Sequence, residues 1–335
     1  MTIMTGAQAF VQALKHNGID TLFGLPGVQL DHVFEALYQE RGAIRVVHTR
    51  HEQGAAYMAY GYAESTGRPG AYLVVPGPGL LNTATALCTA HASNAPVLAL
   101  TGEISTRYIG RGLGILHELS DTAAMLAPIT KGQVFAGHPA QVPTGVNNAV
   151  RQAISGRCGP VLFQVPDDIT AQRGDVSMGD RAVRDPDPAP DPELIEQAAA
   201  LLGKAQRPAL FVGGGVFGAE APLLALAEML QAPVIMTRHG RGAVSDRHAL
   251  AQTLMGGHAL WPEVDVVLAV GTRFLEGASW GLDSRIKVIR IDIDPIQAEK
   301  PVGSDVKIVS SARLALAALA EALGPHNRRC ASREV

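Results

Sequence analysis

The chain has 335 residues, 47% hydrophobic and 18% charged, with 36 glycines and 21 prolines. That composition is globular and rich in tight turns, which excludes a disordered chain. A net charge of −3, a pI near 6.4 and dispersed Lys and Arg exclude nucleic acid or an anionic membrane surface as partners. Aromatics are only 5%, so the core must come from Ala, Val, Leu and Ile, as where helices cover a parallel sheet. The N-terminus has no basic-then-apolar leader, and no apolar run approaches the ~20 residues that span a bilayer, so a cytoplasmic location is expected. Cys88, Cys158 and Cys330 are odd in number and far apart, and the histidines lack ligand spacing; neither disulfides nor a metal site is indicated.

Residues 1–172 alternate strand-like runs with helical patterns, the mark of a parallel α/β sheet. A helix starts at Thr5 and carries Ala9, Phe10 and Leu14 on one face. A strand over 21–23 is broken by Gly24-Leu25-Pro26-Gly27. A strand over 44–47 runs into Arg50-His51-Glu52, and a helix with Ala55, Ala56, Ala59 and Ala63 follows. A strand over 71–75 stops at Pro76-Gly77-Pro78-Gly79, another over 97–100 stops at Thr101-Gly102, and the last, over 161–165, ends at Pro166.

Residues 173–192, charged and proline-rich, predict an extended linker. A second strand–helix series occupies 193–324, with strands over 208–212, 233–236, 266–270 and 288–291, and a frayed polar tail covers 325–335. The fold class expected is α/β: two doubly wound parallel-sheet domains.

Glu52 is the sharpest candidate. It falls where a strand ends and a helix begins, which is where open α/β sheets bind ligands. Acids are also common in first helical turns, so a helix-capping role remains open at this point.

The ordered set of motifs resembles the thiamine-diphosphate enzymes of the acetolactate synthase and 2-oxo-acid decarboxylase superfamily. It comprises Phe23-Gly24-Leu25-Pro26-Gly27, the block from Arg50 to Ala63, Pro76-Gly77-Pro78-Gly79 with Asn82, Gly240-Arg241-Gly242-Ala243, Gly271-Thr272-Arg273-Phe274 and Ile291-Asp292-Ile293-Asp294-Pro295. The resemblance implies a pyrimidine-binding domain over 1–172 and a Rossmann-like central domain over 193–324. It implies that Glu52 pairs with N1′ of the cofactor's aminopyrimidine and drives the proton relay that prepares the cofactor to attack a 2-oxo acid. Pro26, Gly27, Pro76, Gly77 and Asn82 become candidate cofactor contacts. His117 becomes a candidate proton donor or carboxylate binder on the substrate side, with a plain surface-loop histidine as the competing reading. Leu116-His117-Glu118 stands where acetolactate synthases carry Phe-Gln-Glu, which weakens any expectation of true acetolactate synthesis.

Gly213-Gly214-Gly215-Val216-Phe217-Gly218 fits a dinucleotide fingerprint, but Met236-Thr237-Arg238-His239 replaces the confirming acid. FAD or ADP in the central domain is therefore not favoured, and an empty structural domain is expected. The resemblance puts the diphosphate and Mg2+ on a third domain marked by Gly-Asp-Gly, and no such motif occurs. The expected partners are a 2-oxo acid and either a homodimer or tetramer, or a separate subunit with the diphosphate-binding domain. An apolar patch around Leu25, Met58 and Leu81 is expected to serve that assembly. The chain alone is expected to be inactive. The competing function is a non-catalytic nucleotide- or partner-binding module derived from such an enzyme.

Overall fold

The structure is a computed structural model that describes residues 2–283 and 285–326; Cys330 and the tail beyond 326 lie outside the described residues. The chain divides into two compact units, Met1–Asp185 and Pro186–Val335.

The first unit opens with β1 (Thr2–Thr5), whose last residue caps the helix Gly6–His16. Thr5 and Gln8 form a reciprocal capping box, each side chain taking the other's backbone N–H at 3.0–3.1 Å. Then come β2 (Thr21–Gly24), β3 (Arg45–His48), β4 (Gly70–Val74), β5 (Val97–Glu103), β6 (Gly132–Phe135) and β7 (Val161–Pro166). These six form one parallel sheet in the order β3-β2-β4-β5-β7-β6. β4, β5 and β7 are buried along their whole length, because helices cover both faces of the sheet. Phe10 of the first helix stacks on Phe163 of β7, with ring centroids 5.4 Å apart.

The sheet's order fixes where a site can form. From β2 the chain moves outward to β3, then crosses back to β4 on the other side. The carboxyl ends of β2 and β4 therefore sit at a topological switch point, where the two flanking loops diverge and leave a crevice.

The strand at 132–135 was not expected from the sequence, since β6 is an edge strand with only half-buried or exposed residues. The expected linker also differs. Arg173–Val176 is a strand, β8, paired antiparallel with β1 in the register Thr2↔Val176. Asn147 then donates to the carbonyls of Met178 and Asp180, so this stretch packs on the first unit.

The second unit holds β9 (Pro208–Val212), β10 (Val234–Met236), β11 (Ala251–Gln252), β12 (Val266–Val270), β13 (Lys287–Asp292) and β14 (Val306–Val309). They form a parallel sheet in the order β11-β10-β9-β12-β13-β14. One face packs an aromatic cluster of Phe211, Trp261, Phe274 and Trp280, with Phe211 and Phe274 edge to face at 5.1 Å. Arg290 is fully buried in β13 and donates to the carbonyls of Thr272, Gln297 and Lys300.

Candidate functional site

Four chain segments leave the carboxyl ends of β2, β3, β4 and β5 and meet at the first unit's switch point. β3 leads through His51 into the helix Glu52–Thr66. His51 is extended (φ −152°, ψ 141°) and its Nδ1 accepts the Gln53 N–H at 3.2 Å. His51, not Glu52, therefore caps this helix. Glu52 is its first helical residue, with a half-buried carboxylate near the positive end of the helix dipole, a favourable position for an anion.

The small-residue face sets how closely this helix approaches the sheet. Ala55, Ala56, Ala59 and Ala63 are all buried, and the Ala59 carbonyl lies where a β-carbon on Gly70 would stand. Larger side chains on this face would lift the helix off β4 and carry Glu52 with it.

Glu52 Oε2 accepts a hydrogen bond from Asn82 Nδ2 at 3.0 Å. No described residue donates to Oε1, which lies 3.6 Å from the point a β-carbon on Gly79 would occupy. The carboxylate is thus bound to no main-chain amide. Asn82 ends the short helix Pro78–Leu81, and its side chain is engaged with Glu52.

Val75 is the pivot of the β4 turn. Its two γ-methyls fill the spaces where β-carbons on Gly27 and Gly79 would otherwise go, so the β2 turn and the start of the Pro78–Leu81 helix both close over it. Gly77 adopts φ +61° and ψ −123°, which side chains disfavour strongly. A β-carbon there would come within 2.5 Å of the His117 carbonyl oxygen. The His117 backbone is therefore seated directly on the Gly77 turn.

His117 is not a free surface histidine. It is half-buried, has φ +71°, and its Nδ1 lies 2.8 Å from Gln29 Oε1. Gln29 is buried in the turn Val28–Leu30 just past Gly27, and its Nε2 donates to the Leu116 carbonyl at 3.1 Å. The loop between residues 104 and 121 is tied down elsewhere too. Glu118 accepts the N–H groups of Gly112 and Ile115, both at 2.9 Å, and Asp168 accepts the N–H and hydroxyl of Thr106.

Glu103, at the end of β5, closes the loop at its base. It accepts from the Ile104 N–H at 2.8 Å, from the Thr122 hydroxyl at 3.1 Å and from Gln164 at 3.0 Å. Burial pushes its carboxyl above the usual carboxylate range, against the pull of those three donors.

The structure thus brings Gly27, Glu52, Gly77, Asn82 and His117 to one edge of the sheet, with Pro26 exposed on the β2 turn and Pro76 buried in the β4 turn. Sequence reasoning did not find Gln29, Val75 or Glu103. Only the Gly27-Val28-Gln29 spacing, a polar residue just past a glycine turn, could have pointed to Gln29. Of the expected apolar patch, Met58 is exposed while Leu25 and Leu81 are half-buried. Val28, Leu113 and Leu116 supply more exposed apolar surface around the same mouth.

In the second unit the glycine fingerprint is used for packing. β-carbons on Gly213 and Gly215 would run into Gly271 and Thr272, the turn after β12. The Gly218 N–H already donates to the Glu220 carboxylate at 3.0 Å, just ahead of the helix Glu220–Leu230. Among the described residues no helix is long and apolar enough to cross a membrane, and no His, Cys, Asp and Glu group could hold a metal.

Residues 4–125 match the model of the N-terminal, thiamine-pyrophosphate-binding domain of thiamine pyrophosphate enzymes, and residues 195–319 match that family's central domain. The chain belongs to the thiamine-pyrophosphate-dependent enzyme family and carries its N-terminal and central domains, each built on a six-stranded parallel sheet. More particularly, it is similar to a probable acetolactate synthase large subunit of Methanococcus aeolicus, 35% identical over 93% of this chain and 54% of that protein. It is also similar to the acetolactate synthase isozyme 2 large subunit of Escherichia coli, at 35% over 97% of this chain and 60% of that one. A probable 2-ketoarginine decarboxylase of Pseudomonas aeruginosa is 36% identical over 94% of this chain and 57% of its own length. The chain spans somewhat more than half the length of these relatives.

Proposed function

We propose that this chain supplies the aminopyrimidine-activating part of a thiamine-diphosphate-dependent carboligase or decarboxylase acting on a 2-oxo acid. The observation that carries the reading is the Glu52 carboxylate, which lies at the switch-point crevice, capped by no main-chain amide and with Oε1 open. The neighbouring residues fit a flat heteroaromatic ring, because Oε1 of the carboxylate has no donor and the wall beside it is the Gly79 backbone and Val75. When bound, the cofactor supplies the carbon nucleophile and electron sink for attack on, and decarboxylation of, a 2-oxo acid.

The chain's own residues do the rest. Glu52 holds or gives up a proton at a ring nitrogen, and Asn82 orients its other oxygen. Gly77 lets the His117 loop seat directly on the β4 turn. His117 faces the substrate side, where its imidazole can hydrogen-bond a substrate.

In this reading the diphosphate and Mg2+ are held by a domain in addition to the two described here, from a partner subunit or another part of the full protein. The exposed Val28, Met58, Leu113 and Leu116 give that partner, or a second copy of this chain, an apolar face to cover. The central unit is structural in this proposal, because its glycines are filled by the Gly271 turn and Glu220 meets the Gly218 amide. The thiols of Cys88 and Cys158 are free, which fits a reducing, cytoplasmic compartment.

The test is reconstitution with a diphosphate-domain protein, thiamine diphosphate and Mg2+, following consumption of pyruvate and other 2-oxo acids. Turnover that Glu52→Gln abolishes supports the proposal. Tight ADP or FAD binding by the chain, with no turnover under any pairing, would favour the non-catalytic module instead.

A further inference from the structure

Gln29 has no role in the reading above, yet it is a buried polar side chain at the mouth, bonded at both ends to the segment that carries His117. Its orientation follows from chemistry alone. The Leu116 carbonyl can only accept, so the end of the amide 3.1 Å away must be the NH2 group. The carbonyl end, Oε1, therefore lies 2.8 Å from His117 Nδ1. A carbonyl oxygen cannot donate, so Nδ1 must carry the proton.

We propose that Gln29 is a positioning residue that holds neutral His117 as the Nδ1–H tautomer and leaves Nε2 as an unprotonated acceptor. The inference rests on placing His117 at the substrate side. Which ring nitrogen is protonated is set by the hydrogen bond the other one makes. No described residue bonds to Nε2, so that atom is available to a bound molecule. The backbone geometry is consistent with a fixed ring. His117 sits at φ +71° with its main chain against Gly77, and Glu118 locks the preceding turn.

The consequence is specific. Neutral His117 accepts a hydrogen bond or a proton from a substrate or acceptor hydroxyl, and it donates to a carboxylate only after taking up a second proton. Gln29 thereby selects acceptor chemistry for the imidazole in its neutral form. A leucine in its place would free the ring to flip its tautomer, while a glutamate would keep an acceptor facing Nδ1.

The experiment reads the tautomer on the chain itself, without cofactor, so its outcome is separate from that of the activity test. Long-range 1H–15N correlation spectra of the 15N-labelled chain are recorded with pH raised until the imidazole signals report the neutral form. The His117 resonances are assigned by their loss in His117→Asn. The expected result is a protonated Nδ1 and a bare Nε2 in the native chain, the same pattern in Gln29→Glu, and reversal or averaging in Gln29→Leu. A native spectrum with the proton on Nε2, or an unchanged Nδ1–H pattern in a folded Gln29→Leu chain, would overturn the proposal. If Gln29→Leu does not fold, the native and Gln29→Glu spectra still decide it. In the reconstituted enzyme, Gln29→Leu should shift the pH profile of turnover while Gln29→Glu keeps an acceptor in place. Equal profiles for native and Gln29→Leu would reduce Gln29 to packing.

Discussion

Replacing Gly77 with alanine tests whether the His117 segment is truly seated on the β4 turn. Gly77 sits at φ +61°, ψ −123°, a conformation that costs a side-chain-bearing residue about 1–3 kcal/mol. The new methyl would also meet the His117 carbonyl oxygen at 2.5 Å and its Cα at 2.9 Å. Those are backbone atoms, so relief requires moving the loop, and an overpacking insertion of this kind costs about 1–3 kcal/mol more. The sum is about 2–6 kcal/mol. Gly67 is the control. It ends the helix Glu52–Thr66 at φ +66° with nothing within 4 Å of its would-be β-carbon, so alanine there costs only the left-handed strain of about 1–2 kcal/mol. All six tyrosines lie in the first unit and both tryptophans in the second, so tyrosine absorbance during urea unfolding reads the unit in question. At a slope of about 2 kcal/mol per M, Gly77→Ala should lower the tyrosine midpoint by about 1–3 M and Gly67→Ala by under about 1 M. Equal shifts for the two variants would refute the contact between the turn and the loop.

Glu52→Gln should lower turnover of the reconstituted enzyme at least ~10²-fold, the usual loss for an acid–base group, with the unfolding midpoint little changed. Glu103→Gln should flatten the pH dependence of stability. Because burial holds the folded-state carboxyl above its ordinary value, stability is greatest below the carboxylate range and falls as pH rises through the raised value; urea midpoints at acidic and neutral pH should converge in the variant. Tyr72→Phe removes the 2.8 Å bond to the Thr83 hydroxyl beneath the β4 turn. Thr83 keeps its own bond to the Leu80 carbonyl, so a loss of about 1 kcal/mol in the tyrosine-monitored transition is expected. Calorimetry with ADP and FAD should show no binding to the central unit, because the Gly213 and Gly215 amides already donate to the carbonyls of Val270 and Gly271.

What the sequence made legible was whatever is written locally. The apolar runs at 71–75, 97–100 and 161–165 became the buried centre of the first sheet, and the glycine and proline breaks after them became the turns at its carboxyl edge. The edge strands β6, β11 and β14 left no such runs, because a half-exposed edge needs no continuous apolar stretch. Residues 173–176 looked like linker because their partners, Thr2–Thr5, lie at the far end of the unit's sequence. The site divides the same way. Glu52 stood out from its place between strand and helix. Gln29 did not, since its partner is 88 residues away and only the folded loop brings the two together. Asn82 was expected to face the cofactor, and its bond to Glu52 depends on where one helix ends and another starts.

The antiparallel ribbon of β1 and β8 joins the first few residues of the first unit to some of its last. That unit is consequently stitched shut, its entry and exit threads lying side by side like the ends of a tied belt. A protein engineer could join those two ends directly and cut the chain open elsewhere, for instance at the exposed Gly110, without unthreading the six-stranded sheet.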